Sequence, residues 1–353
     1  MTEKRRWWDP ARHGARRDKL MARNALKGEL RSFFTDRGFI EVDVGCVAVS
    51  PGNETHLTAF QTEFVPALGH SQRPQKLFLH TSPEFACKKL MAAGERALFT
   101  FAPTFRNGEV SPRHSPEFTM LEWYQAGATF EDLLQQMAEL IETVAMAGTD
   151  TVTIHDRTIP LDNGVDRITV CDAFVTYADV DLAAHLRDAP FDCGDLAERA
   201  NTANIRTSDD DDWSDVFSKI MTGIEPMLGR KKPVLLTHYP APEAALARLS
   251  DADPNVAERV EFYIDGVEMA NGYAELVDAD ALEARLTASM DEMERRYGRR
   301  YALDPEFIEA VGRMPATVGC ALGFDRLAML VAGADTIHDV IWTPFPGCAD
   351  GFQ

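Results

Sequence analysis

Apolar residues recur along this chain at two different periods, and the switch between them divides it into helices and strands. Between Arg17 and Arg37, the residues Leu26, Leu30, Phe33 and Phe34 repeat at three- and four-residue steps, which predicts an amphipathic helix stopped by Gly38. Phe39–Val42 and Leu77–His80 read as short strands, with a turn at Ser50-Pro51-Gly52-Asn53 between them. Ser82-Pro83-Glu84 reads as a helix start with Pro83 at the first helical position. Ala97–Phe105 and Glu117–Tyr124 are apolar runs on either side of the polar, breaker-rich segment Arg106–Pro116, the pattern of a long antiparallel hairpin. Thr129–Val144 carries a capping pair, Thr129 with Asp132, and an apolar stripe. Val234–Tyr239, Arg259–Ile264, Val267–Leu276 and Cys320–Gly323 read as strands. Asp280–Tyr297 and Asp325–Val331 read as helices, the second capped by Asp325. Residues 150–232 are less legible, and the acidic run Asp209–Asp212 reads as a solvated loop or helix start.

Strands and helices follow no regular βαβ rhythm, and neither GxGxxG nor GxxxxGK[ST] occurs. A bound nucleotide must therefore be held by side chains on an antiparallel sheet. The 353 residues allow two domains or one large one. Lys plus Arg total 36 against 56 Asp plus Glu, and the net charge of −20 disfavours a nonspecific nucleic-acid binder. No apolar run of about 18 residues occurs, so no membrane span is expected. The Arg-rich start, with Trp7 and Trp8, lacks the apolar stretch of a secretory signal. Cys46, Cys87, Cys171, Cys193, Cys320 and Cys348 are scattered without metal-ligand spacing, which suits reduced thiols in a cytoplasm.

Three segments carry candidate chemistry. Arg106 stands where the first hairpin strand gives way to the loop, and its planar fork matches phosphate. On the returning strand, alternation puts Phe118, Met120, Glu122 and Tyr124 on one face. A plain structural reading pairs Arg106 with Glu122. In the second segment, Glu268 and Glu275 flank Asn271-Gly272 within an apolar strand. They have opposite parity, so they share a face only if the strand bulges or kinks, which Asn271-Gly272 is expected to do. In the third, Gly319–Gly323 is a glycine-rich strand end that admits a ligand to the backbone, and Arg326 follows on the first turn of a helix.

Together these segments carry a family resemblance. Arg37-Gly38-Phe39-Ile40-Glu41-Val42, Phe105-Arg106-Asn107 with Arg113–Glu122, and Gly323-Phe324-Asp325-Arg326 resemble motifs 1, 2 and 3 of the class II aminoacyl-tRNA synthetases. Thr81-Ser82-Pro83-Glu84 and the segment Glu268–Glu275 resemble the lysine branch. Motif 1 begins near residue 20, which leaves no room for an anticodon-binding barrel before it. The chain therefore resembles the free-standing lysyl-tRNA synthetase paralogues that ligate (R)-β-lysine to elongation factor P; Met120–Tyr124 and Ala321 match that branch. Three positions depart from the pattern. Val44-Gly45 stand where motif 1 has proline. Gly108 displaces the motif 2 carboxylate to Glu109, which leaves adenine to Glu109 or to backbone and water. Ser115 replaces the loop asparagine.

The resemblance implies an α+β fold, an antiparallel β-sheet flanked by helices, in one catalytic domain over 20–353 after an arm over 1–19. It implies ATP and Mg²⁺ as cofactors and an aminoacyl-adenylate as intermediate. Arg106 and Arg326 would be catalytic, clamping the α- and γ-phosphates. Asn107, Gly108, Glu109, His114, Ser115, Met269 and Gly323 would lie along the ATP. Glu268 and Glu275 would hold the metal and also belong to the ATP and amino-acid contacts respectively. Ser82, Pro83, Glu84, Glu122, Tyr124, Asn271 and Ala321 would line the amino-acid pocket. The implied partners are lysine or β-lysine, elongation factor P and a second copy of the chain, with tRNA and membrane disfavoured. Charging of a tRNA, ligation to a small molecule, and an inactive amino-acid-binding paralogue are the alternatives.

Overall fold

Thirteen strands and ten α-helices run through the residues that the computed structural model describes: 6–67, 73–154 and 157–346. Cys348 lies outside these residues. In chain order the first are α1 (Pro10–Thr35), β1 (Ile40–Glu41), β2 (Val47–Ala48), β3 (Gln61–Phe64), β4 (Gln75–Leu79) and α2 (Glu84–Ala92). The hairpin strands β5 (Ala97–Phe105) and β6 (Glu117–Ala126) follow, then α3 (Phe130–Met146). Next come β7 (Thr151–Ile154), β8 (Arg157–Pro160), β9 (Asp166–Thr169), α4 (Val170–Ala178), α5 (Leu182–Asp188), α6 (Cys193–Thr202) and α7 (Trp213–Ile224). The last are β10 (Val234–Pro240), β11 (Val256–Ile264), β12 (Val267–Ala274), α8 (Ala279–Tyr297), α9 (Pro305–Val311), β13 (Thr317–Gly323) and α10 (Phe324–Val331). They group into two compact units, one of residues 1–127, 277–317 and 321–353, the other of 128–276 and 318–320.

In the first unit, α1 starts at Pro10 rather than at Arg17. Asp9 caps it through bonds from the Ala11 and Arg12 amides, and Pro10 occupies the first turn, where its missing N–H costs nothing. The expected stripe is buried, and Phe34 packs on Phe99 and Trp123 with ring centroids 4.9 and 5.3 Å apart. Gly38 turns the chain with φ +81°, a left-handed conformation that suits glycine. β5 and β6 form the expected hairpin, in register from Ala97 opposite Gln125 to Phe105 opposite Glu117. Alternation then gives the hairpin two faces. Phe99, Phe101, Leu121 and Trp123 point one way, and Leu98, Thr100, Glu122 and Tyr124 the other.

The second unit holds strands in the order β12-β11-β10-β9, with residues 318–320 of β13 beside β12 and α3 against it. The illegible stretch 150–232 contains the β7–β8 hairpin, β9 and the helices α4 to α7, whose core includes Phe174, Trp213, Phe217 and Ile220. Its acidic run opens α7: Asp212 and Asp215 form a capping box, and Asp211 pairs with Lys219.

The sheet expected to be antiparallel is mixed. β1 runs parallel to β5, and β9 parallel to β10. Each of these pairs is separated in sequence by a long crossover, β2–β4 with α2 in one case and α4–α7 in the other. A crossover of that length permits the parallel sense, which a tight hairpin cannot make.

Candidate functional site

The hairpin loop of the first unit gathers one group of charges. Arg106 leaves β5 with its amide bonded to the Pro116 carbonyl at 2.9 Å, and its Nε donates to the Thr81 carbonyl at 3.2 Å. Its Nη1 lies 4.0 Å from Glu109 Oε1. The Glu122 pairing expected from a plain structural reading is absent from its contacts, because Arg106 sits at the loop end of the hairpin and Glu122 well inside β6. Arg326, on the first turn of α10, donates from Nη2 to His114 Nε2 at 2.9 Å, and His114 Nδ1 lies 2.6 Å from Ser111 Oγ. A guanidinium only donates, so Nε2 must accept and the ring proton sits on Nδ1, directed at Ser111. Burial, then Arg326, Arg106 and Arg113, hold the His114 imidazole down to about 4, so it is neutral at physiological pH. Both predicted arginines therefore act on one histidine. Ser115 is buried, and its hydroxyl has no hydrogen-bond partner among the described residues. Asn107 and Gly108 are exposed; Asn107 lines a cavity of about 290 Å³ with Lys76, Arg299 and Tyr301.

On the other face of the hairpin, Glu122 is fully buried, at 0% exposure. Ser82 donates to its Oε1 at 2.5 Å and Tyr124 to its Oε2 at 2.8 Å. Burial first, and Glu84 second, push the Glu122 carboxyl up to about 8. Glu84 is half-buried at the start of α2 and pairs at 2.6 Å with Lys88, which is itself fully buried. Lys88 was not anticipated, although its position four residues after Glu84 on one helix is the spacing that brings such a pair together. Pro83 is the N-cap of α2, not its first helical residue; the hydroxyl of Ser82 accepts from the Glu84 amide at 3.1 Å. Ser82, Glu84, Glu122 and Tyr124 thus lie together beside the hairpin.

In the second unit, the irregularity of β12 falls at Met269, not at Asn271-Gly272. Glu268 pairs with Tyr263 and Ala270 with Phe262, so Met269 is the extra residue. The bulge reverses parity, and alternation beyond it puts Glu268, Asn271, Tyr273 and Glu275 on the same face as Arg259, Glu261 and Tyr263. Asn271 donates from Nδ2 to Glu261 Oε1 at 3.3 Å, as that arrangement requires. Gly272 stays in register. A Cβ there would meet the Gly319 carbonyl at 3.1 Å and the Cys320 Cβ at 3.2 Å, so glycine is needed for close strand packing and not for a kink. Glu268 is half-buried and Glu275 buried. Glu261, with Tyr239, Tyr263 and Arg259 around it, escaped the sequence reading; its only signal was its parity with Arg259 and Tyr263.

Ala321 and Gly323 lie half-buried on β13, and Gly323 caps α10 in place of Asp325. Asp325 lies inside the first turn and accepts from the Thr119 amide at 2.6 Å and from Arg23 Nε at 2.8 Å. It therefore ties α10 to β6 and α1. Asp325→Ala would strand the Arg23 guanidinium and the Thr119 N–H, and is expected to lower the unfolding free energy by about 3 kcal/mol in urea titrations.

No helix among the described residues is long and apolar enough to cross a membrane, and no group of three or more His, Cys, Asp or Glu among them could hold a metal ion. Cys46, Cys87, Cys171 and Cys193 are free thiols. The family model for tRNA synthetases class II (D, K and N) matches residues 1–347.

Proposed function

The chain belongs to the class II tRNA synthetases (D, K and N), ligases that activate an amino acid with ATP, and from that premise we propose that it activates a lysine isomer, (R)-β-lysine foremost, and transfers it to a lysine side chain of elongation factor P. The observation that carries this reading is Glu122. It is a fully buried carboxylate whose hydrogen bonds come from two hydroxyls, beside a second carboxylate, Glu84. Even with the Lys88 ammonium nearby, burial disfavours the ionised form of Glu122, and an ammonium of the substrate offsets that cost.

In this reading the amino-acid carboxylate attacks the α-phosphorus of ATP and pyrophosphate leaves. The acceptor amine then displaces AMP from the adenylate. Negative charge grows on phosphoryl oxygens, and Arg106 and Arg326 are assigned to stabilise it. His114, neutral and bonded to Arg326, orients that guanidinium without competing for phosphate as a second charge would. Ser82, Glu84, Glu122, Tyr124 and Asn271 are assigned to the two amino groups of the substrate. Glu268 and Glu275 are assigned to hold Mg²⁺, which would supply positive charge against the negative charge of the triphosphate. Two carboxylates on one strand face are hard oxygen donors of the kind that Mg²⁺ takes.

The acceptor is read from charge: a net charge of −20 opposes tRNA. A homodimer is part of the same reading; Ile40, Val47 and Val49, on and beside the short strands after α1, expose apolar side chains that a second copy would cover. A cytoplasmic location agrees with Cys46, Cys87, Cys171 and Cys193 as free thiols.

The test is to incubate the chain with ATP, Mg²⁺, each lysine isomer, and elongation factor P, tRNA or free amines, and to weigh every acceptor by mass spectrometry. A gain of one lysyl group on elongation factor P, largest with (R)-β-lysine, is the expected result. A gain only on tRNA or on a small amine overturns the acceptor assignment, and no gain with any acceptor overturns the ligase reading.

A further inference from the structure

Glu261 collects more hydrogen bonds than any sheet contact requires. Its Oε2 accepts from the hydroxyls of Tyr239 and Tyr263, both at 2.6 Å. Its Oε1 accepts from Arg259 Nη2 at 2.5 Å and from Asn271 Nδ2 at 3.3 Å. The two tyrosines are buried, and burial together with Glu261 raises both hydroxyls well above their ordinary range, so they stay protonated and remain donors. Arg259 is locked in turn: its Nη1 bonds the Glu243 carbonyl at 2.5 Å, and its guanidinium lies 4.3 Å over the Tyr239 ring. All five side chains belong to β10, β11 and β12 of the second unit.

A side-chain amide has a donor end and an acceptor end, and nothing local decides which faces which neighbour. Here the neighbour decides. A carboxylate only accepts, so Asn271 must turn Nδ2 to Glu261 and its carbonyl the other way. That carbonyl oxygen, Oδ1, is buried and has no hydrogen-bond partner among the described residues. A buried acceptor without a partner is costly and rare in a folded chain, and a ligand donor removes the cost.

We infer that Glu261 is a positioning residue: it fixes the Asn271 amide with its oxygen toward the amino-acid substrate, so that the site presents an acceptor to an ammonium group. This rests on the proposed ligase reading, in which Asn271 touches the amino acid. Glu261 itself touches no substrate; it acts through Asn271.

The test compares variants in amino-acid-dependent ATP–pyrophosphate exchange. Arg259→Met with Glu261→Met removes a buried charge pair together, which avoids the stranded arginine that Glu261→Met alone would leave. In that double variant Asn271 loses its orienting acceptor. The KM for the lysine isomer is expected to rise about tenfold or more, the worth of one hydrogen bond to a charged group, while the KM for ATP stays within about twofold. Glu261→Gln is the conservative control. The tyrosine hydroxyls can accept from its new NH₂, which leaves its oxygen facing Arg259 and Asn271, so its KM for the amino acid is expected near the native value. An unchanged amino-acid KM in the double variant overturns the inference, and so does an equal rise for both substrates or a loss in Glu261→Gln as large as in the double variant.

A chain that performs no exchange with any lysine isomer refutes the ligase reading instead. The inference is then read without substrate, from side-chain amide NMR of [¹⁵N]Asn-labelled protein, with Asn271 assigned by its loss in Asn271→Asp. The Asn271 NH₂ signal is expected to be hydrogen-bonded and slowly exchanging in the native chain and in Glu261→Gln, and to lose both properties in the double variant. Identical signals in all three overturn it.

Discussion

Replacing Arg326 by alanine is expected to lower the rate of ATP–pyrophosphate exchange by about 10²-fold or more, with little change in urea stability. The argument is electrostatic. Adenylate formation concentrates negative charge on phosphoryl oxygens in the transition state, and a half-buried guanidinium already held in place stabilises it without reorganising. Arg326 is held in this way, by the first turn of α10 and by the bond from Nη2 to His114. The protonation state of His114 matters here. An imidazolium would have no acceptor for Arg326 and would repel it; burial and three neighbouring arginines keep the ring neutral down to about pH 4. Arg326→Lys is expected to recover only part of the loss, since an ammonium lacks the planar fork. Steady-state exchange kinetics decide the matter, and near-native turnover in Arg326→Ala would remove this residue from the chemistry.

The second large effect concerns Glu122 and pH. Its carboxyl is pushed up to about 8, chiefly by burial and then by Glu84, so in the empty pocket it is mostly protonated at pH 7. A substrate ammonium pairs with the ionised form, so binding expels a proton wherever the pH lies below that value. The KM for the amino acid should therefore fall as pH rises from 6 to 8, approaching tenfold per unit at the acid end, while the substrate amines, near their ordinary values, stay charged. Glu122→Gln should flatten this profile and raise KM by about 10²-fold, the combined loss of the charge and of one acceptor for Ser82 or Tyr124. Stability should move the opposite way with pH. Between the ordinary value of 4.5 and about 8, folded Glu122 keeps a proton that the unfolded chain has released. Folding stability is accordingly highest below that window and declines as pH rises through it, and Glu122→Gln should remove this decline in urea titrations at pH 5 and 8. A KM profile of the same slope in both proteins would show that Glu122 is not the group that titrates.

The two effects arise from opposite uses of burial. At His114, a base is kept neutral beside arginines whose charge is needed. At Glu122, an acid is kept neutral until a cation arrives. Lys88 adds a buried cation to the same pocket: its ammonium, fully buried, pairs with Glu84 at 2.6 Å.

Local pattern was enough, from the residues alone, to delimit the hairpin β5–β6 with its polar loop, the capping box of α3, the stripe of α1 and the shared face of Glu122 and Tyr124. Each of these follows from periodicity or from caps, which act over a few residues. Other features depended on partners distant in the chain. The parallel senses of β1 and β9 come from crossovers whose direction no strand encodes. The bulge at Met269 comes from the register of β12 on β11, and it, not Asn271-Gly272, brings Glu268 to the face of Glu275. Asp325 left its expected capping role because Arg23 on α1 and the Thr119 amide on β6 offer a buried carboxylate more than a helix end does. Glu261 was one glutamate on an alternating strand until four donors from three strands converged on it. Side-chain period and capping are properties of a segment, whereas register, crossover sense and the partners of a buried charge exist only once separate segments have packed together.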